Sequence, residues 1–230
     1  MIPFGLSSLM TVSMPIGRRA TKCLVPGATA VYLCNEGAGT VLTDFSGNAL
    51  DGTLGAAGAA PSWGATGLTF ETDDKVTFPA ITYPGAFTAT WAGNHPTEGS
   101  IDIVLADATD ATNKIGYNSS GGSVYLRVGN TTAAGAASPK YTPGTWHTIT
   151  ITRSAAGVVS GYANTTAYPG IFTDTDSVIL SLLGNDSAGN CAEATIGAAL
   201  LYPFELASTQ VAQNHAALRG ILAPRGVTLA

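Results

Sequence analysis

Short runs rich in Val, Ile, Thr, Tyr, Phe and Trp recur along this chain, and each run is bounded by Gly, Pro, Asn or Asp. Such runs are typical of β-strands that end in tight turns. Eleven of them, with no helical pattern in between, predict an all-β fold, a two-sheet antiparallel jelly-roll sandwich. We expect the strands at residues 30–33, 67–70, 75–78, 87–92, 101–106, 113–117, 123–128, 146–154, 158–163, 178–183 and 194–202.

The run WHTITITRS alternates strictly and so predicts a strand with two different faces. Trp146, Thr148, Thr150 and Thr152 share one face, and His147, Ile149, Ile151 and Arg153 share the other. We expect one face to carry the core and the other to face solvent. Trp91 and Trp146 lie inside predicted strands, and we expect both of them in the core.

One amphipathic helix is predicted near the end of the sequence. Val211, His215, Leu218 and Leu222 form one stripe at helical spacing. The helix is expected over about residues 208–222, with Pro224 ending it. It should lie against the sandwich and cover apolar surface or a sheet edge.

Residues 1–22 are expected to form an N-terminal arm, and residues 23–230 a single domain that includes the helix. The first residues are apolar but lack a basic region, and Pro3, Gly5 and Pro15 interrupt them, so we do not expect a secretion signal. No uninterrupted apolar run reaches the roughly 18 residues of a membrane span, so no membrane insertion is expected. The arm is expected to dock on a neighbouring protein through Ile2, Phe4, Leu6, Leu9 and Met10.

Composition narrows the possible partners. The net charge of -5 and the scattered basic residues argue against nucleic-acid binding, which relies on clustered Lys and Arg. Three cysteines without a Cys-x-x-Cys motif argue against a zinc site. Cys23, Cys34 and Cys191 are expected to be free thiols, with a bridge from Cys23 or Cys34 to Cys191 as the alternative.

The stretch VYLCNEGAGTVLTDFSGNALDGTL, residues 31–54, is followed by the blocks GLTF, KVTFP, FTATW, TWHTI and finally IGAALLYPFELASTQVAQNHAAL. In this order the blocks resemble the laminin-G-like domains of the concanavalin A-like lectin/glucanase superfamily, in its bacterial and phage branch. The resemblance covers residues 28 to about 220 and implies the same jelly roll. It departs in the last block, where the family usually has an acidic residue and this chain has Gly197, and where LASTQ replaces an L-S-x-x-E helix start.

Because the superfamily includes glucanases, an enzyme has to be weighed. The glucanase signature E-x-D-x-x-E is absent, and the glutamates are spread singly along the chain. Glu71 and Asp73 are the one i, i+2 carboxylate pair that includes a glutamate, and they lie at a predicted turn. We therefore expect a protein that is not an enzyme, with no catalytic residues.

A calcium ion is the stronger candidate ligand from the residues alone, because hard cations take oxygen ligands from turn-rich loops. Asp44, Asn48 and Asp51 can supply such oxygens from one loop, and Asn185 and Asp186 from another. The alternative is that tight turns require these residue types anyway. If the acidic residue missing at Gly197 helps to bind calcium in relatives, a metal is less expected here, and no other cofactor is expected.

Sugar binding usually needs an exposed aromatic ring together with polar groups for the sugar hydroxyls. The candidates for sugar binding are therefore the aromatic residues beside predicted turns, which are Trp63, Tyr83, Tyr117, Tyr141 and Tyr168.

These features lead to three functional hypotheses. The main one is a non-enzymatic bacteriophage virion protein, a head decoration or tail appendage. It would dock by its arm on other virion proteins, form a homo-oligomer and display a lectin-like domain at the virion surface, with weak binding of host glycans. The alternative is a dedicated carbohydrate-binding adhesin or module, and the third is a glycan hydrolase.

Overall fold

A computed structural model describes residues 21–56, 58–95, 101–110, 114–120, 123–128, 131–133, 142–185 and 193–230. Within these residues the strands are β1 (Ala30–Tyr32), β2 (Val41–Leu42), β3 (Gly52–Leu54), β4 (Ser62–Trp63), β5 (Leu68–Phe70), β6 (Val76–Tyr83), β7 (Phe87–Asn94), β8 (Ile101–Ala106), β9 (Lys114–Ser120), β10 (Ser123–Val128), β11 (Thr131–Ala133), β12 (Trp146–Arg153), β13 (Val158–Ala163), β14 (Thr166–Thr173), β15 (Val178–Leu183) and β16 (Ala194–Tyr202). The α-helix is α1 (Ser208–Leu222), and 3-10 turns lie at Thr21–Cys23 and Ala223–Arg225.

The strands form two antiparallel sheets. Sheet A has the order β14-β13-β12-β7-β16-β5-β4, with β1 also paired to β16, and sheet B has the order β11-β10-β9-β8-β15-β6-β3-β2. The large apolar side chains between them form one core that includes Trp91, Phe70 and Ile149. The predicted all-β, two-sheet jelly-roll sandwich is therefore confirmed, together with its C-terminal helix.

A second apolar cluster covers the outer face of sheet A. It joins Ala198 and Leu200 of β16 to Val211 and Leu218 of α1 and to Leu24, which precedes β1. The helix thus extends the core beyond the sheet, as its apolar stripe predicts.

One of the two faces of β12 was expected to face solvent, and this expectation is wrong, because both faces are covered. Thr148, Thr150 and Thr152 are all buried. The Thr148 hydroxyl bonds to the His215 ring of α1 at 2.9 Å, and the hydroxyls of Thr150 and Thr90 bond to each other at 2.9 Å. Because the helix lies over sheet A, both faces of β12 are covered, and the hydroxyls of Thr148 and Thr150 are satisfied within the protein.

Helix α1 begins and ends as its sequence indicates. The Gln210 side chain accepts a hydrogen bond from the Ala207 N–H, and the helix passes into the 3-10 turn that contains Pro224. The buried Asn214 side chain accepts from the Val25 N–H at 2.9 Å and donates to the Tyr202 hydroxyl at 3.0 Å. One helical amide therefore ties the segment before β1 to the end of β16.

In the part of the chain that the structure describes, all eleven predicted strands are present, and five further strands were not predicted. Strands β2, β3, β4 and β11 have only two or three residues each, too few for a period of two to be recognised. Strand β14 carries Pro169 and Gly170 in its middle, residues that ordinarily indicate a turn.

Cys23 is an exposed free thiol and Cys34 a buried one, whereas Cys191 lies outside the described residues. Burial raises the pKa of the Cys34 thiol to about 12, so this thiol stays protonated. No helix in the described part of the chain is long and apolar enough to cross a membrane. The predicted docking residues Ile2, Phe4, Leu6, Leu9 and Met10 also lie outside the described residues.

A buried arginine, Arg153, links β6, β7 and β12 at one end of the sandwich. Arg153 pairs with Asp174 at 3.1 Å and donates to the carbonyl oxygens of Gly85 and Tyr83 at 2.8 and 2.9 Å. Its guanidinium also lies 4.8 Å from the ring centroid of Phe87. Removing one partner of such a pair leaves an unpaired buried charge, which is more costly than losing the contact itself.

We expect Arg153→Met to lower the free energy of unfolding by about 3 to 5 kcal/mol, because it leaves the Asp174 carboxylate buried without its cation. Urea unfolding followed by tryptophan fluorescence measures this change. Arg219→Met, at an exposed position of α1, is the matched control and should cost less than about 1 kcal/mol. Equal losses in the two variants would contradict the role assigned to Arg153.

Candidate functional site

A row of five directly paired residues crosses sheet A at its rim. Trp146 pairs with Asn94, Asn94 with Thr195, Thr195 with Thr69, and Thr69 with Ser62. Directly paired residues on neighbouring strands point to the same side of a sheet. Four interstrand spacings of about 4.8 Å make this row, called the rim row below, about 19 Å long.

The rim row lies on the outer face of sheet A. The residues on either side of Thr69, Leu68 and Phe70, both point into the core. Trp146, at the opposite end of the row, packs against the cluster that includes helix α1. The row therefore brings an aromatic ring, a planar amide and three hydroxyls to one surface, at the place where the helix no longer covers the sheet.

A cleft of about 490 Å³ opens at the middle of the rim row, within the size range of small-molecule sites. The row residues Asn94, Thr195 and Thr69 line it, and so do the carboxylates of Glu71 and Glu193. Both glutamates are exposed to solvent. Since no Lys or Arg is among the described residues that line the cleft, its electrostatic character is acidic.

Several polar groups at the cleft already face one another. The hydroxyls of Thr69 and Thr195 lie 3.1 Å apart, and the Thr72 hydroxyl donates to the Glu193 carboxylate at 3.5 Å. The Asn94 amide donates to the Gly144 carbonyl at 3.3 Å, and its Oδ1 has no hydrogen-bond partner among the described residues. This oxygen is buried, so it does not itself face the solvent of the cleft.

Trp146 was expected in the core, and the structure corrects this. Its ring is half-buried on the outer face, whereas Trp91 is fully buried as expected. A Cβ on Gly197 would lie 3.0 Å from Cζ3 of Trp146 and 3.1 Å from Cδ2 of Leu222. An acidic side chain at this position would therefore displace the Trp146 ring, and glycine leaves the room that the ring occupies.

Three of the five sugar-binding aromatics predicted from the sequence, Tyr83, Trp63 and Tyr168, have described side chains. Tyr83 is 2% exposed and lies in the core, so it cannot stack on a sugar. Trp63 and Tyr168 are half-buried against the core, and the Trp63 indole N–H donates to the Gly39 carbonyl at 2.8 Å. Tyr117 lies on β9 with its side chain outside the described residues, and Tyr141 is also outside them.

The predicted calcium loop is a hydrogen-bonded turn network. One Asp44 carboxylate oxygen accepts from the N–H groups of Val31 and Ser46, and the other accepts from the Leu50 N–H and the Ser46 hydroxyl. These contacts hold β1 against the loop that leads to β3. Both carboxylate oxygens of Asp44 are therefore already engaged by donors of the chain itself.

The other predicted calcium ligands show the same pattern. Asp51 accepts from the Asp44 N–H at 2.7 Å, and the Asn48 amide donates to the Thr29 carbonyl at 2.8 Å. Asn185 is fully buried, and Asp186 lies outside the described residues. Within the described residues, no group of three or more His, Cys, Asp or Glu side chains is placed to hold a metal ion.

Two buried histidines lie on the core side of sheet A, next to the rim row. His147 follows Trp146 and His95 follows Asn94, and the two ring centroids are 5.3 Å apart. Burial lowers the pKa of His147 to about 4 and holds the pKa of His95 well below its ordinary value. Both rings are therefore neutral near pH 7 and fill the end of the core as uncharged groups.

Comparisons with known proteins place the fold. Neither a scan against protein-family models nor a search of the curated proteins found a match to this sequence. Among solved structures, a Trypanosoma rangeli sialidase in complex with 2,3-difluorosialic acid matches at a TM-score of 0.62 and 14% identity, over 85% of this chain and 34% of the sialidase. The chain thus spans about a third of that enzyme's length.

Two further solved structures share the fold. Domain 4 of a GH43 extracellular arabinanase from Geobacillus stearothermophilus, in complex with arabinotriose, matches at a TM-score of 0.61 and 17% identity, over 82% of this chain and 98% of that domain. The binding domain of Paraclostridial Mosquitocidal Protein 1 matches at a TM-score of 0.55 and 15% identity, over 82% and 52% of the two chains. At these identities the likeness shows the β-sandwich fold and nothing finer.

The expectation of a non-enzymatic protein is corrected by these likenesses. The matching structures include a sialidase and a domain of an arabinanase, both glycosidases. The absence of one glucanase signature is therefore no ground for excluding an enzyme. It excludes the catalytic arrangement of that one family and no other.

The neutral histidine pair predicts a specific acid sensitivity. Because folding lowers the pKa of His147 from 6.5 to about 4, the unfolded chain binds a proton more readily throughout this window. Stability should thus fall as the pH drops from about 6.5 to 4, by up to about 1.4 kcal/mol per pH unit for each such histidine. In His147→Gln, urea unfolding at several pH values should show a slope that is smaller by about that amount. Parallel slopes for the two proteins would contradict this reading.

Proposed function

We propose that this chain is a glycan-binding β-sandwich module and that the rim row with its cleft binds a neutral glycan. The observation that carries the proposal is the rim row itself, which places a tryptophan, an amide and three hydroxyls on one surface. An aromatic face packs against the apolar face of a sugar, and amide, hydroxyl and carboxylate groups hydrogen-bond its hydroxyls.

The charge at the cleft selects the class of glycan. Glu71 and Glu193 are acceptors for sugar hydroxyls, and charge-assisted hydrogen bonds are the stronger ones. The same two carboxylates repel anionic sugars, because no Lys or Arg is among the described residues that line the cleft. A sialic acid or uronic acid polymer is therefore disfavoured relative to a neutral chain.

The length of the rim row and the structural likenesses agree with an oligosaccharide. A row about 19 Å long exceeds a single sugar ring. The arabinanase domain, which this chain covers almost completely, was solved with arabinotriose, a neutral oligosaccharide. The match to a binding domain of the mosquitocidal protein also supports a binding module.

The test is a binding panel of neutral and anionic glycans. Affinity gel electrophoresis with arabinan, xylan, β-glucan and polysialic acid, followed by calorimetry with arabinotriose, should show binding to at least one neutral glycan and none to polysialic acid. Failure on all neutral members would overturn the proposal, and so would a preference for polysialic acid.

Variants locate the site. We expect Glu193→Gln and Asn94→Ala each to weaken binding about tenfold or more, because the first replaces a charge-assisted acceptor with a neutral amide and the second removes an amide from the cleft wall. Glu205→Gln, at an exposed position before helix α1, removes the same charge away from the cleft and should bind as the unchanged protein does. Undiminished binding in the double variant Glu71→Gln, Glu193→Gln would place the glycan elsewhere.

Glycan hydrolysis is a second candidate, because two glutamates line the same cleft. Glycosidases use a pair of carboxyl groups on either side of the scissile bond. If this cleft hydrolyses the glycan that it binds, reducing ends will be released, and either Glu71→Gln or Glu193→Gln will abolish the release. Glycan binding without release of reducing ends would exclude hydrolysis and support binding as the function.

The location of the protein and its assembly partners stay predictions from the sequence. We retain the proposal that the module is displayed at a bacteriophage virion surface with other virion proteins, as a homo-oligomer. Mass spectrometry of purified particles tests the location directly, and absence of the chain from particles would contradict it.

A further inference from the structure

An apolar groove of about 760 Å³ runs beside helix α1 and shares none of its described lining residues with the rim-row cleft. Its helical wall is a strip at i, i+4 and i+7 spacing, formed by Ala217, Ile221 and Pro224. Leu33 at the end of β1 and Cys23 before β1 line it as well. A groove of this kind exposes apolar surface to water unless something covers it.

The one cation among the described residues that line the groove is already engaged. Arg225 donates to the carbonyl oxygens of Leu33, Cys34 and Gly197, each at 2.9 Å. The guanidinium therefore braces the groove wall rather than recruiting an anion. What the groove offers to an occupant is apolar contact.

The chain itself carries an apolar segment that starts at this groove. The described chain begins at the Thr21–Cys23 turn, and Cys23 lines the groove. The Gln213 side chain of α1 donates to the Cys23 carbonyl at 3.2 Å, so the turn is held against the helix. Residues 1–20 continue from this point, are mostly apolar and contain no Asp or Glu.

We propose that residues 1–20, rather than docking on a neighbouring protein, fold back onto their own domain and fill this groove with their apolar side chains, among them Ile2, Phe4, Leu6, Leu9 and Met10. Twenty residues can reach up to about 66 Å when extended, so the segment is long enough to turn back and lie along the helix. Its attachment beside the groove gives a high effective concentration, which favours its own segment over that of a second copy. A smaller cleft of about 450 Å³, which Thr21 of the same turn lines, includes the polar residues Ser46 and Asn48 beside Val31 and Phe45, so its wall is less uniformly apolar than that of the groove.

The thiol of Cys23 reports the occupancy of the groove. In a Cys191→Ser background, Cys23 is the exposed thiol and Cys34 is fully buried. The rate of reaction with a thiol reagent then measures how often the groove is open. Reaction of a second thiol signals that a variant has unfolded, so loss of the fold cannot be mistaken for release of the segment.

Two pairs of full-length variants test the proposal. Leu6→Asp with Leu9→Asp should raise the rate at Cys23 about tenfold or more, because a segment that docks by at least about 1.4 kcal/mol is away less than a tenth of the time. Ser7→Asp with Ser8→Asp adds the same charge to polar positions of the segment and should change the rate little. On the groove side, Ala217→Glu places a charge in the groove wall and should raise the rate at Cys23 as the two leucine substitutions do. Ala80→Glu, at an exposed position of sheet B, is its control and should change the rate little.

The outcomes separate the possible occupants. Protection of Cys23 that does not depend on protein concentration, and that persists in dilute protein shown to be monomeric by light scattering, supports the proposal, whichever oligomer the chain forms on particles. Protection that grows with concentration and accompanies dimers assigns the groove to the segment of a second copy and overturns it. Equal rates in all four variants and the unchanged protein leave the groove open and overturn it too.

Discussion

The apolar outer face of sheet A is the constraint on which the rest of the structure depends. A sheet of a sandwich ordinarily has one buried face, but in sheet A the outward residues Ala198 and Leu200 are as buried as the core itself. Helix α1 and the segment before β1 supply the cover. The helix is therefore an obligatory layer of the fold, fixed by the side chains that it has to cover.

The extent of sheet A that helix α1 covers decides where on this face a ligand can bind. Thr148 on β12 and Ala92 on β7 each lie two residues from the rim row, and both are buried beneath the helical layer. At the rim row the cover ends, and the outward residues Trp146, Asn94, Thr195, Thr69 and Ser62 are half-buried or exposed, unlike the buried Thr148 and Thr150. The buried His147 lies on the core side of the same rim, and its low pKa keeps it neutral, so the cleft's negative charge is not offset from below. Polar surface thus begins where the helical layer stops, which is the physical basis for assigning the cleft to a hydroxyl-rich ligand.

Much of the fold could be predicted from the sequence, because alternation is a local signal. The β12 run shows its two faces plainly, and the stripe from Val211 to Leu222 shows the helix. The two-residue β4 and the Pro-Gly step inside β14 carry no such signal, and pairing with a neighbouring strand is what makes them strands. The burial of Thr148 could not be predicted from alternation, since it depends on where a distant helix lies.

The candidate site was missed for the same reason. Asn94, Thr195 and Thr69 are far apart in the chain, and the pairing register alone brings them side by side. Residue type alone indicated Tyr83 as a sugar-binding residue and Asp44 as a calcium ligand. Tyr83 is buried in the core, and the Asp44 carboxylate accepts hydrogen bonds from backbone N–H groups. A signal was present in retrospect, because Asn94 lies two residues after the predicted strand 87–92 and Thr195 is the second residue of the predicted strand 194–202, so both are polar residues beside apolar runs. The glycosidase structures that share the fold also show that a missing sequence signature was too narrow a basis for excluding an enzyme.

The most direct test of the central claim is a nuclear magnetic resonance titration of the labelled protein with a neutral oligosaccharide such as arabinotriose, observing side-chain as well as backbone N–H signals. Binding at the rim row predicts that the Trp146 indole and Asn94 amide signals shift together with the backbone signals of Thr195 and Thr69. Saturating shifts confined to the outer face of sheet B, with these four residues unchanged, would contradict the account.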